Sequence, residues 1–486
     1  MEDGTPFSMI FKRQWGRFIV KKTAVSFAAL LMALSVVVSG CGGNNNSSNS
    51  SNNGEKKEES SATTAPAPAT PSNDPVTLNA WVMPNSPKPD ADFLKTLDPY
   101  LKEHPNVTMK VTVLDWGSAW TKITTAATSG EGPDLLQLGS TWVPAIASMG
   151  GIDKVTDKVA DVGGAEAFLP AIWTTTSIAG DSEVYGVPWF VDARAIYYRT
   201  DVFKQAGVDT ATAFKDWASF KSALQAVNGQ TVDGKKIAAL GLPGKNDWNV
   251  VHNIFPWIWA AGGNVLSEDN KDVVFNDEKG LDGVMFYTGL AAEGLVDKAS
   301  LEKNSSQIES DFGDGKSAVI ISGPWLAKNF ATPKANGGMD DKKAAKNFAV
   351  APLPAGPGGQ ATFVGGSELT VFSGSKNKEA TWDVIKYLTS DEAQKAYAAV
   401  SGQLPARLSL LESPDLDANM KAFSEATKYG RTYPSIPQWG PTETALQKHF
   451  ANVWDIVAGV KGKYSKESVK EELDSAAAEV KAIINQ

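Results

Sequence analysis

From Val76 onward, apolar and polar positions follow two alternating rhythms. Val76–Val82 is rich in β-formers and predicts a strand, and Val107, Met109, Val111 and Val113 alternate as a second. Between them, Phe93, Leu94, Leu97 and Leu101 recur at helical spacing behind Asp90, which is placed to cap a helix. A helix carrying Trp120, Ile123 and Ala126 follows the second strand. A short buried strand at 134–139 comes next, with Ser140-Thr141-Trp142 opening another helix. Strands alternating with helices of this length predict an α/β protein whose parallel sheets are covered on both faces. Ligands bind such sheets at the carboxyl ends of strands, here the loops at Trp81–Ser86, Asp115–Gly117 and Gly139–Trp142.

The first 75 residues read differently. Lys12, Arg13, Arg17, Lys21 and Lys22 precede an uncharged apolar run, Thr23–Val38, which ends in Ser39-Gly40-Cys41. A basic region, a short apolar core and small residues before the cut predict a secretory signal over 1–40. Met9 is an alternative start. Val38-Ser39-Gly40-Cys41 resembles the bacterial lipoprotein box, which implies lipidation of Cys41. The other reading is an uncleaved anchor helix. Residues 42–75 are Asn/Ser-rich, then charged, then Ala/Pro/Thr-rich, without apolar periodicity. With Cys41 they predict a disordered tether over 41–75 with an end-to-end distance of roughly 30 Å. Two acyl chains on Cys41 would suffice for stable anchoring.

Length and charge narrow the field. The 486 residues exceed a single domain and predict two or more lobes. The formal charge is -9, and removing residues 1–40 leaves 41 basic against 53 acidic residues, a net of -12. That balance excludes nucleic acid as a default partner. One cysteine excludes internal disulfides and Cys-based zinc sites, and three scattered histidines (His104, His252, His449) argue against a His-rich metal centre. No cofactor is expected. Fifteen tryptophans make the chain unusually aromatic.

Several separated segments then match one family in order. They begin with His104-Pro105-Asn106-Val107, Trp116-Gly117 and Gly132-Pro133-Asp134, followed by Tyr185–Asp192 with Tyr197-Tyr198. Gly315–Ala318 with Ser322-Gly323-Pro324-Trp325 comes next, then Phe363–Ser367 with Ser375–Ala380. Thr389–Gln394 and Gly402–Arg407 complete the series. Together they resemble bacterial extracellular solute-binding proteins, in particular the sugar-binding branch that serves ATP-driven importers. The resemblance covers about residues 76–486. It implies a two-lobed, periplasmic-binding-protein-like clamp of class II type, with interleaved lobes and hinge crossings. By analogy, lobe 1 takes 76–188 and 367–410, and lobe 2 takes 192–362 and 411–486. Crossings are expected near Pro188–Asp192, Thr362–Ser367 and Arg407–Ser413.

A sugar presents C–H ring faces, which suit aromatic plates, and a rim of hydroxyls, which suits oriented polar groups. The family stacks sugars on the aromatic that here is Trp325, where Gly323-Pro324 turns the chain at a strand end; the alternative is a core Trp. Trp248, in a polar loop beside Asp247 and Asn249, reads as ligand-facing. Trp116 and Trp142 either wall the cleft or plug a lobe base. Trp439 matches a late aromatic position of the family. Trp257, Trp259, Trp382, Trp120, Trp217 and Trp454 read as core. Among polar groups, Asp192 and Arg194 follow the crossing and either meet ligand or form a structural pair. Gly366 and Ser367 offer backbone N–H groups or simply permit a tight crossing. Asp247 and His252 are candidate hydroxyl acceptors, and Arg407 resembles a family position near the cleft.

Other readings of these residues are open. Asp192 and Asp247 could be imagined as a glycosidase pair, though nothing in their spacing enforces it. Tyr197-Tyr198 resembles the tyrosines of ferric-ion carriers, yet sugar-binding relatives keep the same pair structurally. A binder of glycerol phosphate, or a tethered adhesin of the same fold, is a further alternative. The reading taken forward is a monomeric, non-catalytic lipoprotein on the extracytoplasmic face of a bacterial membrane. It would capture an oligosaccharide by lobe closure and hand it to the transmembrane permease of an ABC transporter.

Overall fold

In the computed structural model, which describes residues 74–486, two mixed sheets organise the chain. β1 (Val76–Val82), β2 (Val107–Val113) and β3 (Leu135–Gly139) are parallel, joined by helices Pro89–Glu103 and Trp116–Ser129. β4 (Val187–Ala193) then joins the same sheet running in the same direction as these three, and β5 (Ala195–Arg199) leaves for the second sheet. The hairpin β6 (Thr231–Val232) and β7 (Lys235–Lys236) precedes β8 (Ala238–Gly241), and β9 (Ser317–Ser322) and β10 (Phe348–Ala351) follow. β11 (Thr362–Val371) returns to the first sheet, which β12 (Leu404–Pro405) and β13 (Gly430–Arg431) complete. The first sheet runs β12-β4-β11-β3-β1-β2, with β13 also on β11; the second runs β10-β5-β9-β8.

The sheets are therefore mixed, not parallel throughout. β11 pairs antiparallel with both β3 and β4, partners 171 or more positions away in sequence, which no local pattern announces. The strand bounds at 76–82 and 107–113 coincide with the alternation. The first helix starts at Pro89 after Lys88, so Asp90 lies inside its first turn and is not the cap. Trp116, placed in a loop by the sequence, opens a helix because Asp115 caps it, its carboxylate accepting from the Gly117 N–H at 3.0 Å.

Two segments join the halves as a paired ribbon. β4 and β11 are hydrogen-bonded from Val364↔Ala193 to Leu369↔Val187, with an irregularity between Ser367 and Glu368. The expected crossings at 188–192 and 362–367 thus lie within paired strands of the first sheet, and the chain changes sheet at Arg194. Gly366 has φ +151°, and a Cβ there would sit 2.1 Å from the Phe190 carbonyl, so only glycine fits this close approach. One apolar core fills the second lobe, around Phe255, Trp257, Tyr287 and Trp454. A second core spans both sheets, from Leu78 and Trp189 to Tyr197 and Phe330, and a third lies under Trp116–Ser129. Residues 1–40, Cys41 and the tether as far as residue 73 lie outside the described residues.

Candidate functional site

The carboxyl ends of β1, β2, β3, β8 and β9 all lead to one cavity of about 750 Å³ between the lobes. That volume falls within the range of small-molecule pockets, roughly 300–1,000 Å³. After β2, Trp116 and Trp120 stand one helical turn apart on the cavity side, and after β3, Trp142 joins them. Trp142 lies 5.6 Å from Trp116 and 5.7 Å from Trp120, ring centre to ring centre. From the opposite lobe, Trp248 lies nearly parallel to Trp116, at 5.7 Å and 10°. Its loop precedes helix Val250–Ala260, and it is 40% exposed.

Trp325 occupies another part of the wall. Pro324 turns the chain out of β9 into helix Trp325–Ala331, and the ring folds back over Gly323, where a Cβ would lie 1.9 Å from it. The Gly323 carbonyl accepts from the Tyr197 hydroxyl at 2.9 Å, which in turn accepts from the Ala327 N–H at 3.2 Å. Tyr198 packs on Phe203 and Phe214. Both tyrosines are thereby structural, which removes the support for an iron site. Among the described residues no cluster of three or more His, Cys, Asp or Glu could hold a metal.

Polar groups surround Trp325. Its indole N–H donates to Glu309 at 2.9 Å, and the Arg194 guanidinium lies 4.9 Å from its ring centre. Arg194 also donates to Asp192 at 3.0 Å and to Asn249 at 3.2 Å, so one side chain links the sheet change, Trp325 and the Trp248 loop. The Arg194 Nε and Asp192 Oδ1 are buried without a protein partner. Burial raises the Asp192 carboxyl, against the pull of Arg194. Burial likewise raises Glu309, which sits on a helix opened by a reciprocal Asn304–Gln307 capping box.

His252 lines the cavity with its ring stacked on Phe363 at 4.2 Å, its Nδ1 3.0 Å from the Tyr433 hydroxyl and its Nε2 3.5 Å from Glu443. Burial and the Arg194 charge hold it well below the usual imidazole range, so it stays neutral. Glu443, pushed up to about 7 by burial, accepts from the Thr141 hydroxyl of the other lobe at 3.3 Å. Ser367 accepts from Gln137 at 2.8 Å within a buried network that includes Asn85 and the Met83 N–H. The Gln403 side-chain carbonyl is buried on the wall with no partner.

Ten of the twelve sequence candidates line the cavity: Trp325, Trp248, Asp247, Trp142, Trp116, Asp192, Arg194, Gly366, Ser367 and His252. Asp247 does so with both oxygens already engaged, taking Asn253 at 2.7 Å and the Ser305 N–H and hydroxyl at 3.1 and 2.8 Å. It pins the Trp248 loop to the next helix, and together with the Asp192–Arg194 pair this leaves no free carboxylate pair of the glycosidase kind at these two positions. Trp439 and Arg407 are elsewhere. Trp439 is 0% exposed and stacks on Tyr433 at 4.4 Å inside the second-lobe core. Arg407 is spent within lobe 1 on the carbonyls of Val162 and Thr389, both at 3.1 Å, and on Asp391.

The sequence reading missed Trp120, Glu309, Gln403 and Glu443. Trp120 reads as core because Ile123 and Ala126 share its helix, and Glu309 and Glu443 read as ordinary charged helix positions. Their common signal is a carboxylate set among apolar neighbours, as in Ile308-Glu309 before Phe312. The lining carries Asp115, Asp192, Asp247, Glu309 and Glu443 against one cation, Arg194, itself already paired. Burial raises the Asp192, Asp247, Glu309 and Glu443 carboxyls, so the wall offers hydroxyl-matching oxygens with less negative charge than their number suggests, and it holds no unpaired cation for an anion.

The chain is similar to the diacetylchitobiose binding protein DasA of Streptomyces coelicolor, with 27% identity over 379 residues, 76% of this chain and 82% of DasA. A tagatose-bound ABC transporter solute-binding protein of Thermotoga lettingae shares the fold with a TM-score of 0.72 at 23% identity, covering 84% of this chain and 99% of its own. The sugar-binding protein MalE of Xanthomonas citri gives 0.68 at 25% identity, covering 84% and 98%. Residues 84–395 match the bacterial extracellular solute-binding proteins, and with its two mixed α/β lobes around one cavity the chain belongs to that family.

Proposed function

We propose that this protein is the substrate-binding lipoprotein of an ABC importer and captures an oligosaccharide between its lobes. The observation that carries this reading is the composition of the cavity between the lobes. Indole rings come from both lobes, while Arg194, Asp192, Glu309, Gln403 and Glu443 offer donors and acceptors between them. Trp325 serves as a stacking plate, and Asp192 and Arg194 present hydroxyl-matching atoms. Gly366 and Ser367 hold the crossing ribbon tight beneath them. The names of relatives, which include binders of diacetylchitobiose, galactooligosaccharide and maltooligosaccharide, favour the same class. Because the one cation of the lining, Arg194, is already paired with Asp192, the wall disfavours glycerol phosphate and other anionic solutes.

Each lobe supplies part of the contact set, so ligand binds the closed form better and shifts the population toward it. The closed shape is what the permease reads, and the protein does no covalent chemistry. Cys41 carries the lipid that keeps the monomer at the outer face of the membrane. A thermal-shift screen over neutral mono- and oligosaccharides, with uronic acids and sugar phosphates as controls, tests the reading, because a ligand that binds only the folded form raises its melting temperature. A rise with acidic members alone would refute it.

A further inference from the structure

The cavity wall has an order that can be followed contact by contact. Trp325 faces Arg194, Arg194 reaches Asn249, and Asn249 adjoins Trp248, whose ring lies on Trp116 of the opposite lobe. In the other direction, helix Trp325–Ala331 leads through Asn329, whose carbonyl takes the Met339 N–H at 2.7 Å, to Gly337. Gly337 meets Pro87 of the first lobe, and beside it Lys88 donates to Asn336 at 3.3 Å. The lobes therefore touch at both ends of this row, and the two ends differ. One is a lysine–asparagine hydrogen bond between exposed side chains. The other is a nearly parallel pair of indoles, one of them fixed from behind by the Gln447 side chain, which donates to the Trp248 carbonyl at 3.1 Å.

A sugar ring sandwiched between two plates needs a van der Waals contact on each side, about 7 Å between the planes. The Trp116 and Trp248 ring centres are only 5.7 Å apart, so their planes cannot admit one. We propose that the Trp116–Trp248 stack is an end wall that limits the length of sugar chain the cavity accepts, with Trp248 as the residue that sets the limit. Trp248 then acts chiefly as a stop and not as a sandwiching plate. The proposal rests on the carbohydrate reading above.

The test uses the full chain and a length ladder, monosaccharide to heptasaccharide, of whichever carbohydrate class gives the largest rise in melting temperature. Isothermal titration of the wild type should give a best short member and bind the longest about tenfold or more weakly, because a blocked end penalises the competitor and not the favoured ligand. Trp248→Ala, an exposed position, should close that gap even if overall affinity falls, and Trp248→Phe, which keeps a ring, should preserve it. Equal wild-type affinity for short and long members, or an undiminished gap in Trp248→Ala, would overturn the proposal with the carbohydrate reading intact. If no carbohydrate stabilises the protein, the reading and the wall fall together.

Discussion

Replacing Trp325 by alanine removes three things at once, and their sizes can be separated. The first is the plate. An indole buries about 200 Å² when fully covered, so one face against a sugar is about 100 Å², worth about 2 kcal/mol after allowing for its partial burial in the free protein. That corresponds to roughly a thirtyfold loss of affinity. The second is the face beneath the Arg194 guanidinium at 4.9 Å, and the third is the N–H that Glu309 accepts at 2.9 Å. Both of these exist with or without ligand, so their loss falls on stability, by about 1–2 kcal/mol. Titration calorimetry with the best sugar from the screen should show Trp325→Ala weakened by more than tenfold, and urea unfolding should show a modestly destabilised protein. Trp325→Phe, which keeps a plate and loses the N–H, should recover most of the affinity and little of the stability. An unchanged affinity in Trp325→Ala would refute the assignment of this ring to the ligand.

Asp247→Ala removes the acceptor of three hydrogen bonds and should cost about 3 kcal/mol in urea unfolding, with Asp247→Asn milder. Gly366→Ala drives a Cβ to 2.1 Å from the Phe190 carbonyl and should cost about 3 kcal/mol or more, read as a lowered melting temperature; a neutral result would contradict the close packing of the ribbon. Glu368, 0% exposed on β11, donates to nothing through Oε2 and accepts only from Thr175, and burial pushes it from 4.5 to about 8. The folded chain therefore holds a proton that the unfolded chain releases, so stability falls as pH rises through that window, by on the order of a few kcal/mol. Glu368→Gln should flatten the slope between these two pH limits, measured by urea unfolding at each. Cys41→Ser should move the protein from the membrane fraction to the soluble one, and unchanged membrane retention would count against lipid attachment.

Much of the first lobe is legible in the sequence because its order is local. β1 and β2 show their burial alternation directly, and the glycines at 323 and 366 mark places where a ring or a backbone comes too near for a side chain. What could not be read is what depends on distant partners. The antiparallel insertion of β11 beside β3 and β4 makes a mixed sheet out of segments that each look like parallel-sheet strands. The same limit governs single residues. Trp439 and Trp325 both open helices, yet one meets Tyr433 in a core and the other meets Arg194 at the cavity. Arg407 and Arg194 differ likewise, one consumed by carbonyls of its own lobe and the other placed where the chain changes sheet. Glu309 and Glu443 escaped notice because a carboxylate on a helix is ordinarily solvated, and only the packing of the opposite wall shows that these are not.

Arg194 stands at the point where the chain leaves the first sheet, yet its guanidinium lies under Trp325 and against the loop of Trp248. Fulcrum and floor are one residue. A load on that floor acts close to the pivot, where a small shift would be magnified at the rims carrying Pro87 and Trp116. Substitutions at Arg194 should therefore change how far the jaws swing as well as how firmly they grip, and the two effects should not be separable by varying cargo alone.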